Sequence, residues 1–316
     1  MQPIAILYEH PEWFKPLFAE LERLGAPYVA LHAAEHAYDP DERAVPYSLV
    51  VNRMSPSAWM RGHREAIFHT LRYFEHLDEI GAPVLNGATA FRYELSKAAQ
   101  ASLMARLGIR HPVTRVISRP EQALTAVEGL RFPVLVKPNI GGSGAGITSF
   151  AGPGELAEAV RAGRLTFGID HVALLQEHLP AEDDAIVRIE ILDGKLLCAI
   201  RLLLSPGSFN LCPADYCELP GIADGVSGRG LPIEAYDPPA ELVAQALHLV
   251  AAAGMDVGGV EYLVSARDGE AYFYDVNALS NFVADAPNVI GFNPYVDLAE
   301  LIVARAGVRG ASASAA

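Results

Sequence analysis

Along the first quarter of the chain, short apolar runs alternate with longer stretches whose apolar positions recur every three or four residues. Residues 3–8 form the first run. Phe14, Leu17, Phe18, Leu21 and Leu24 then mark one face of a helix that Gly25 closes. Residues 28–31 and 48–51 read as further strands, and 83–86 as one more short one. Ile67, Leu71, Phe74 and Leu77 line a helix over about 62–79, closed by Gly81. Strands apolar throughout, alternating with helices, predict a parallel α/β sheet covered on both faces. Ligands of such a sheet sit beyond its strand C-terminal ends, where Arg53 follows Val50, Val51 and Asn52.

Further on, residues 93–107 predict a helix carrying Leu95, Leu103 and Leu107, with Gly108 past its end. A smaller unit at about 112–178 holds strands at 114–117, 134–137 and 172–176 and a helix near 154–162. The last third has strands at 186–191 and 196–204, a helix at 239–253, a hairpin over about 258–277 and a helix near 296–306. The expected class is α/β, becoming α+β in the C-terminal part. Residues 1–92 form an open-sheet domain and 93–309 a second domain, subdivided at about 112–178 and 179–309. A tail of small residues, 310–316, is expected to fray.

Composition narrows the function. The 316 residues are 51% hydrophobic and 20% charged, far from the profile of disorder. Thirty-eight acidic residues against 24 basic ones give a net charge of −14, and no Lys/Arg run exists. Nucleic acid is therefore not an expected partner. No apolar run approaches about 18 residues, so neither a membrane-spanning helix nor a membrane partner is expected. Residues 1–13 lack the basic start of a secretory signal. Three cysteines without a CxxC pair suit a reduced, cytoplasmic protein.

Three segments carry chemistry. In the first, an apolar run ends in Lys137, and four glycines follow at Gly141, Gly142, Gly144 and Gly146, with Ser143 among them. Glycine lets backbone N–H groups crowd around an anion, so the loop suits a phosphate; a plain turn between two strands fits the same residues. It is not a Walker A loop, because the lysine precedes the glycines. In the second, an apolar strand ends at Gln176, Glu177, His178 and Leu179 before Pro180, leaving backbone donors and acceptors that suit an adenine edge. In the third, Asp275 and Asn277 stand two apart on a strand and share a face, with Glu261 on the strand before. That face suits a hard cation. A two-residue turn at Asp268-Gly269 would pair Glu261 with Val276. A three-residue loop with Gly269 left-handed would pair Glu261 with Asp275, and the sequence admits both.

Taken in this order, the segments resemble the ATP-grasp superfamily over nearly the whole chain, and most closely its RimK-like carboxylate–amine ligases. The resemblance implies an ATP-grasp fold behind an N-terminal open-sheet pre-ATP-grasp domain. Lys97, in Ser96-Lys97, matches the family's first lysine, and 108–114 resembles its GIPxPxT stretch. Lys137 matches the strand lysine and Gly141 to Gly146 the lid. Gln176, Glu177, His178 and Leu179 match the adenine linker. Arg188 and Arg201 match the arginines that hold phosphate or acyl phosphate, and Glu261, Asp275 and Asn277 the metal ligands. The usual ribose-binding acid is replaced by Ile186, which leaves Asp183 or Asp184 for that contact.

The resemblance implies ATP with Mg²⁺, or Mn²⁺ in its place, activating a small-molecule or peptide carboxylate as an acyl phosphate that an amine then attacks. Lys137, Arg188 and Arg201 carry the catalytic expectation. Arg53, Asp215, Ser280 and Asn281 are substrate-side candidates, and a homodimer is an open expectation. The other reading of the same scaffold is a nucleotide-binding protein or small-molecule phosphotransferase. Cys212 and Cys217 have no histidine nearby and read as free thiols.

Overall fold

A computed structural model of the chain describes residues 2–142, 144–204 and 232–307. The first quarter folds as the alternation predicts. Strands β1 (Ile4–Tyr8), β2 (Tyr28–His32), β3 (Leu49–Arg53) and β4 (Val84–Leu85) make a parallel sheet in the order β2-β1-β3-β4. Helix α1 (Lys15–Arg23) buries Leu17 and Leu21 against one face, with Ile4, Ile6 and Val51. Helices α2 (Arg64–Glu79) and α3 (Ala88–Glu94) cover the other, where Ala5, Leu7 and Val50 meet Ile67, Phe74 and Phe91.

The helix expected over 93–107 is divided. Ser96 takes an extended backbone, and its side chain accepts the Ala99 N–H at 3.1 Å. It thereby ends α3 and caps a new helix, α4 (Lys97–Leu107), that Gly108 closes in the left-handed conformation. The break sets Lys97 in the first turn of α4.

A small antiparallel sheet follows, built from β5 (Thr114–Ile117), β6 (Val134–Pro138), β7 (Thr148–Phe150) and β8 (Ala173–Glu177) in the order β5-β8-β6-β7. Helices α5 (Ala123–Ala126) and α6 (Pro153–Arg161) back it. The third sheet, also antiparallel, contains β9 (Ala185–Leu192), β10 (Lys195–Leu203), β11 (Ile233–Ala235), β12 (Val257–Val264) and β13 (Ala271–Asn277), in the order β11-β10-β9-β12-β13. Helix α7 (Ala240–Ala252) packs with α4 over its far face.

After the short α8 (Ala286–Val289) comes α9 (Pro294–Arg305), which returns to the N-terminal sheet. Leu298, Ala299 and Ile302 join Leu17, Leu21 and Ile4 in one core. The sequence placed this helix with the second domain by order alone. Its apolar stripe also completes the face of the N-terminal sheet that α1 covers only in part. Asn86, fully buried between the halves, donates from Nδ2 to the carbonyls of Val257 and Ala278, both at 2.7 Å. Among the described residues no helix is long and apolar enough to cross a membrane.

Candidate active site

The hairpin register decides whether the acidic residues meet. The turn is neither of the two that the sequence admits. Ser265 and Glu270 close a longer turn, with the Ser265 carbonyl accepting from Gly269 N–H at 2.8 Å. Gly269 has φ +74 there, as the three-residue alternative required. That turn alone would set Tyr274 opposite Glu261. An irregularity after Glu261 shifts the ladder by one residue, so Glu261 pairs with Asp275 and Gly259 with Asn277. Glu261, Asp275 and Asn277 therefore share one face, all on the wall of a cavity of about 480 Å³.

Arg188 pairs with Glu261 in the ladder and occupies the same face. Its guanidinium lies between Glu190, at 2.6 Å, and Glu261, at 2.9 Å. Burial disfavours its charge, but the two carboxylates outweigh that and raise its pKa further. The guanidinium sits against Gly259, where any Cβ would come within 2.7 Å of Arg188 Cζ. Arg201 does not join it. Arg188 stands opposite Ile200 and Arg201 opposite Val187, so period-two alternation sends the Arg201 side chain to the other face. There it meets Asp183 at 3.0 Å and Glu234 at 3.7 Å. The two arginines matched by residue type are thus separated by strand parity.

Both lysines reach the cavity. Lys97 Nζ contacts Asp275 Oδ1 at 2.5 Å, and one turn on Gln100 exchanges hydrogen bonds with the backbone of Val276, which fastens α4 along the β13 edge. Lys137 is buried, with no salt bridge or hydrogen bond from its ammonium among the described residues. Burial and the neighbouring Lys97 push it down to about 7. Burial pushes the Asp275 carboxyl up, but Lys97 and Lys137 hold it below the usual carboxylate range, while burial raises Glu261 against the pull of Arg188.

The glycine loop follows Lys137 as expected, with Gly141, Gly142 and Gly144 on the cavity wall. The Ala145 and Ile147 amides close turns on the Gly142 and Gly144 carbonyls, at 3.0 and 3.3 Å. Gly146 has φ +75 and packs on Pro138, so a side chain fits there neither conformationally nor sterically. At the end of β8, Glu177 accepts the Arg131 N–H at 2.8 Å, and the His178 carbonyl accepts from Arg267 at 2.8 Å. Gln176 is pinned to Thr114 at 2.7 Å. Of the two ribose candidates, Asp184 lines the cavity and Asp183 turns away to Arg201.

The oxygen-rich face of Glu261, Asp275 and Asn277 fits a hard divalent cation. Two carboxylates stand directly opposed in a buried ladder, and the Asn277 Nδ2 is buried without a partner among the described residues. Turning that amide would present its oxygen there instead, which a bound cation would satisfy.

Of the substrate-side candidates, Asn281 lines the cavity, whereas Arg53 and Ser280 lie behind its wall, both fully buried. Arg53 donates to the Ser280 carbonyl and sits 5.3 Å above the Phe14 ring, with Nε and Nη1 unpartnered among the described residues. Ser280 in turn accepts from Arg188 through its hydroxyl, at 3.3 Å. Asp215, with Cys212 and Cys217, lies outside the described residues, as does Ser143. Sequence reasoning missed Glu94, buried at the end of α3 on the cavity wall and pushed up by burial to about 7. Trp13 also lines the cavity. The indole stacks on His10 at 4.1 Å. An acidic residue at a helix end, three before Lys97, was the one signal for Glu94.

The model of the RimK-like ATP-grasp domain family matches residues 95–213. A D-alanine–D-alanine ligase of Geobacter sulfurreducens is 28% identical over 210 residues, covering 66% of this chain and 62% of that protein. The chain thus spans about three fifths of that relative. Among solved structures, D-cycloserine synthetase DcsG aligns with a TM-score of 0.69 at 19% identity, covering 96% of this chain and 99% of that one. The ATP-grasp ligase PsnB, complexed with a phosphomimetic variant of its minimal precursor, Mg and ADP, aligns at 0.66 and 17% identity, covering 97% and 99%. The fold is ATP-grasp.

Proposed function

We propose that this chain, a RimK-like domain within an ATP-grasp fold, is an ATP-dependent, ADP-forming ligase that activates a carboxylate as an acyl phosphate and joins it to an amine. The observation that carries the reading is one cavity wall on which Glu261, Asp275 and Asn277 stand beside Lys97, Lys137 and Arg188. The family match and the ligase activities of the relatives support it.

Lys97, Lys137 and the lid amides hold the phosphates; Lys137, buried and without an ion pair or hydrogen bond among the described residues, gains the most from an anion. Gln176 to Leu179 hold the adenine and Asp184 the ribose. Glu261, Asp275 and Asn277 would hold Mg²⁺, or Mn²⁺ in its place, which would supply charge neutralisation at the phosphates. Arg188, kept charged and fixed by two carboxylates, faces the anion that develops on the transferring phosphoryl group. No side-chain nucleophile is required, because the substrate carboxylate attacks. The lid excludes water that would hydrolyse the acyl phosphate. The substrates are small-molecule or peptide acids and amines, the compartment is the cytoplasm, and residues 1–92 supply part of the substrate-side wall.

The test is a screen of acid–amine pairs for ADP release that depends on both, with mass analysis of the product. An amide supports the reading. A phosphorylated acid or alcohol with no condensed amide, or ATP turnover indifferent to amines, overturns it.

A further inference from the structure

Beyond the groups assigned to nucleotide and metal, the cavity wall carries a second set of residues. They come from the ends of the N-terminal strands, from α3 and from the segment after β13. Among them are Trp13, Ser55, Ser57, Leu279 and Asn281, all uncharged, and Glu94. Glu94 is the charged member of this set among the described residues.

Its position is costly and built. The side chain is only 8% exposed and sits at the C-terminal end of α3, where the helix dipole opposes a negative charge. No salt bridge relieves it among the described residues. One oxygen, Oε2, accepts the N–H groups of both Ala278 and Leu279, which fixes the carboxyl plane. The other, Oε1, makes no hydrogen bond there. It is also not among the fully enclosed orphan atoms, so on a residue lining the cavity it opens to that space. The nearby cations are committed elsewhere. Lys97 is bound to Asp275, and Arg53 lies behind the wall and bonds Ser280. An acceptor held in place, vacant and without a cationic partner among the described residues, is what a substrate cation requires.

We infer that Glu94 receives the ammonium group of the amine substrate through Oε1 and takes one of its protons, so that the freed nitrogen can attack the acyl carbonyl as phosphate leaves; the chain thus selects a free primary amine and rejects its acylated counterpart. This rests on the ligase reading for the identity of the substrate, whereas binding of the ammonium group does not. The wall around Glu94 then sets which amine fits, with Trp13 and Leu279 offering apolar contact.

The test uses Glu94→Gln, whose side-chain oxygen still accepts from Ala278 and Leu279 while the outward atom becomes a donor that repels ammonium. Binding of a panel of α-amino acid amides and their N-acetyl forms is measured by calorimetry with ADP and Mg²⁺ present. The expected result is a wild-type preference for at least one free amine, weakened at least about tenfold by Glu94→Gln. With an active acid–amine pair, the KM for the amine should rise by a similar factor, and more than the KM for ATP. No preference for any free amine over its N-acetyl form, or equal binding by the variant, overturns the inference. Binding that depends on Glu94 without any amide formation leaves it standing and overturns the ligase reading alone.

Discussion

Arg188 and Arg201 carry the same charge on neighbouring strands, yet only Arg188 faces the cavity. Replacing Arg188 by Ala should lower kcat at least about a hundredfold, since it removes a fixed charge aimed at the transferring group. Arg201→Ala breaks exposed ion pairs with Asp183 and Glu234 and should change kcat by less than about threefold. Steady-state kinetics of the two variants decide this, and a large loss of kcat in Arg201→Ala would refute the parity argument. Asp275 supports a second prediction. Asp275→Asn removes one anionic ligand and the partner of Lys97, so turnover should fall at least about a hundredfold, with the melting temperature nearly kept. Undiminished activity at limiting Mg²⁺ would remove Asp275 from the metal set.

The lid and its seat belong to the scale of elements. Gly142 packs directly on Ser57, in the turn Pro56–Arg61 that follows β3, and a Cβ on Gly142 would lie 2.8 Å from Ser57 Cβ. That turn is itself anchored. Arg61 donates to Ser57 Oγ at 3.2 Å and pairs with Glu9, which also binds His63 at 2.7 Å. In the proposed reading, the lid closes by docking this glycine onto that anchored turn. Gly142→Ala should raise the KM for ATP about tenfold, and adding Ser57→Gly should restore most of it, because the second change removes the atom that clashes. Failure of the double variant to recover would show that the contact does not govern closure. Hydrogen exchange at 139–148 should slow when an ATP analogue and Mg²⁺ bind, since phosphate fills the amides that the loop's own turns leave open. A loop equally protected without nucleotide would be a structural turn.

At the scale of the whole molecule, Asn86 and α9 join the halves. Asn86 takes a left-handed backbone, φ 57, and its side chain also accepts the backbone N–H groups of Asp256 and Val257, at 2.7 and 3.2 Å. Asn86→Ala would strand several buried groups and should cost about 2–4 kcal/mol, read as a lower denaturant midpoint. A change below about 0.5 kcal/mol would mean that the interface does not depend on this residue. The sequence by itself determined the parallel N-terminal sheet, the lysine with its glycine loop, and the shared face of Asp275 and Asn277. Each of these is written in local period, turn chemistry or residue type within a short window. It left open the hairpin register, which a one-residue shift beside Glu261 decided, and it could not place Arg201, because strand parity depends on the ladder as a whole. The return of α9 to the first sheet, the clamp at Asn86 and the vacant oxygen of Glu94 were also decided only by the tertiary structure. Each depends on contacts between residues far apart in the chain, where no local pattern states which partner burial will select.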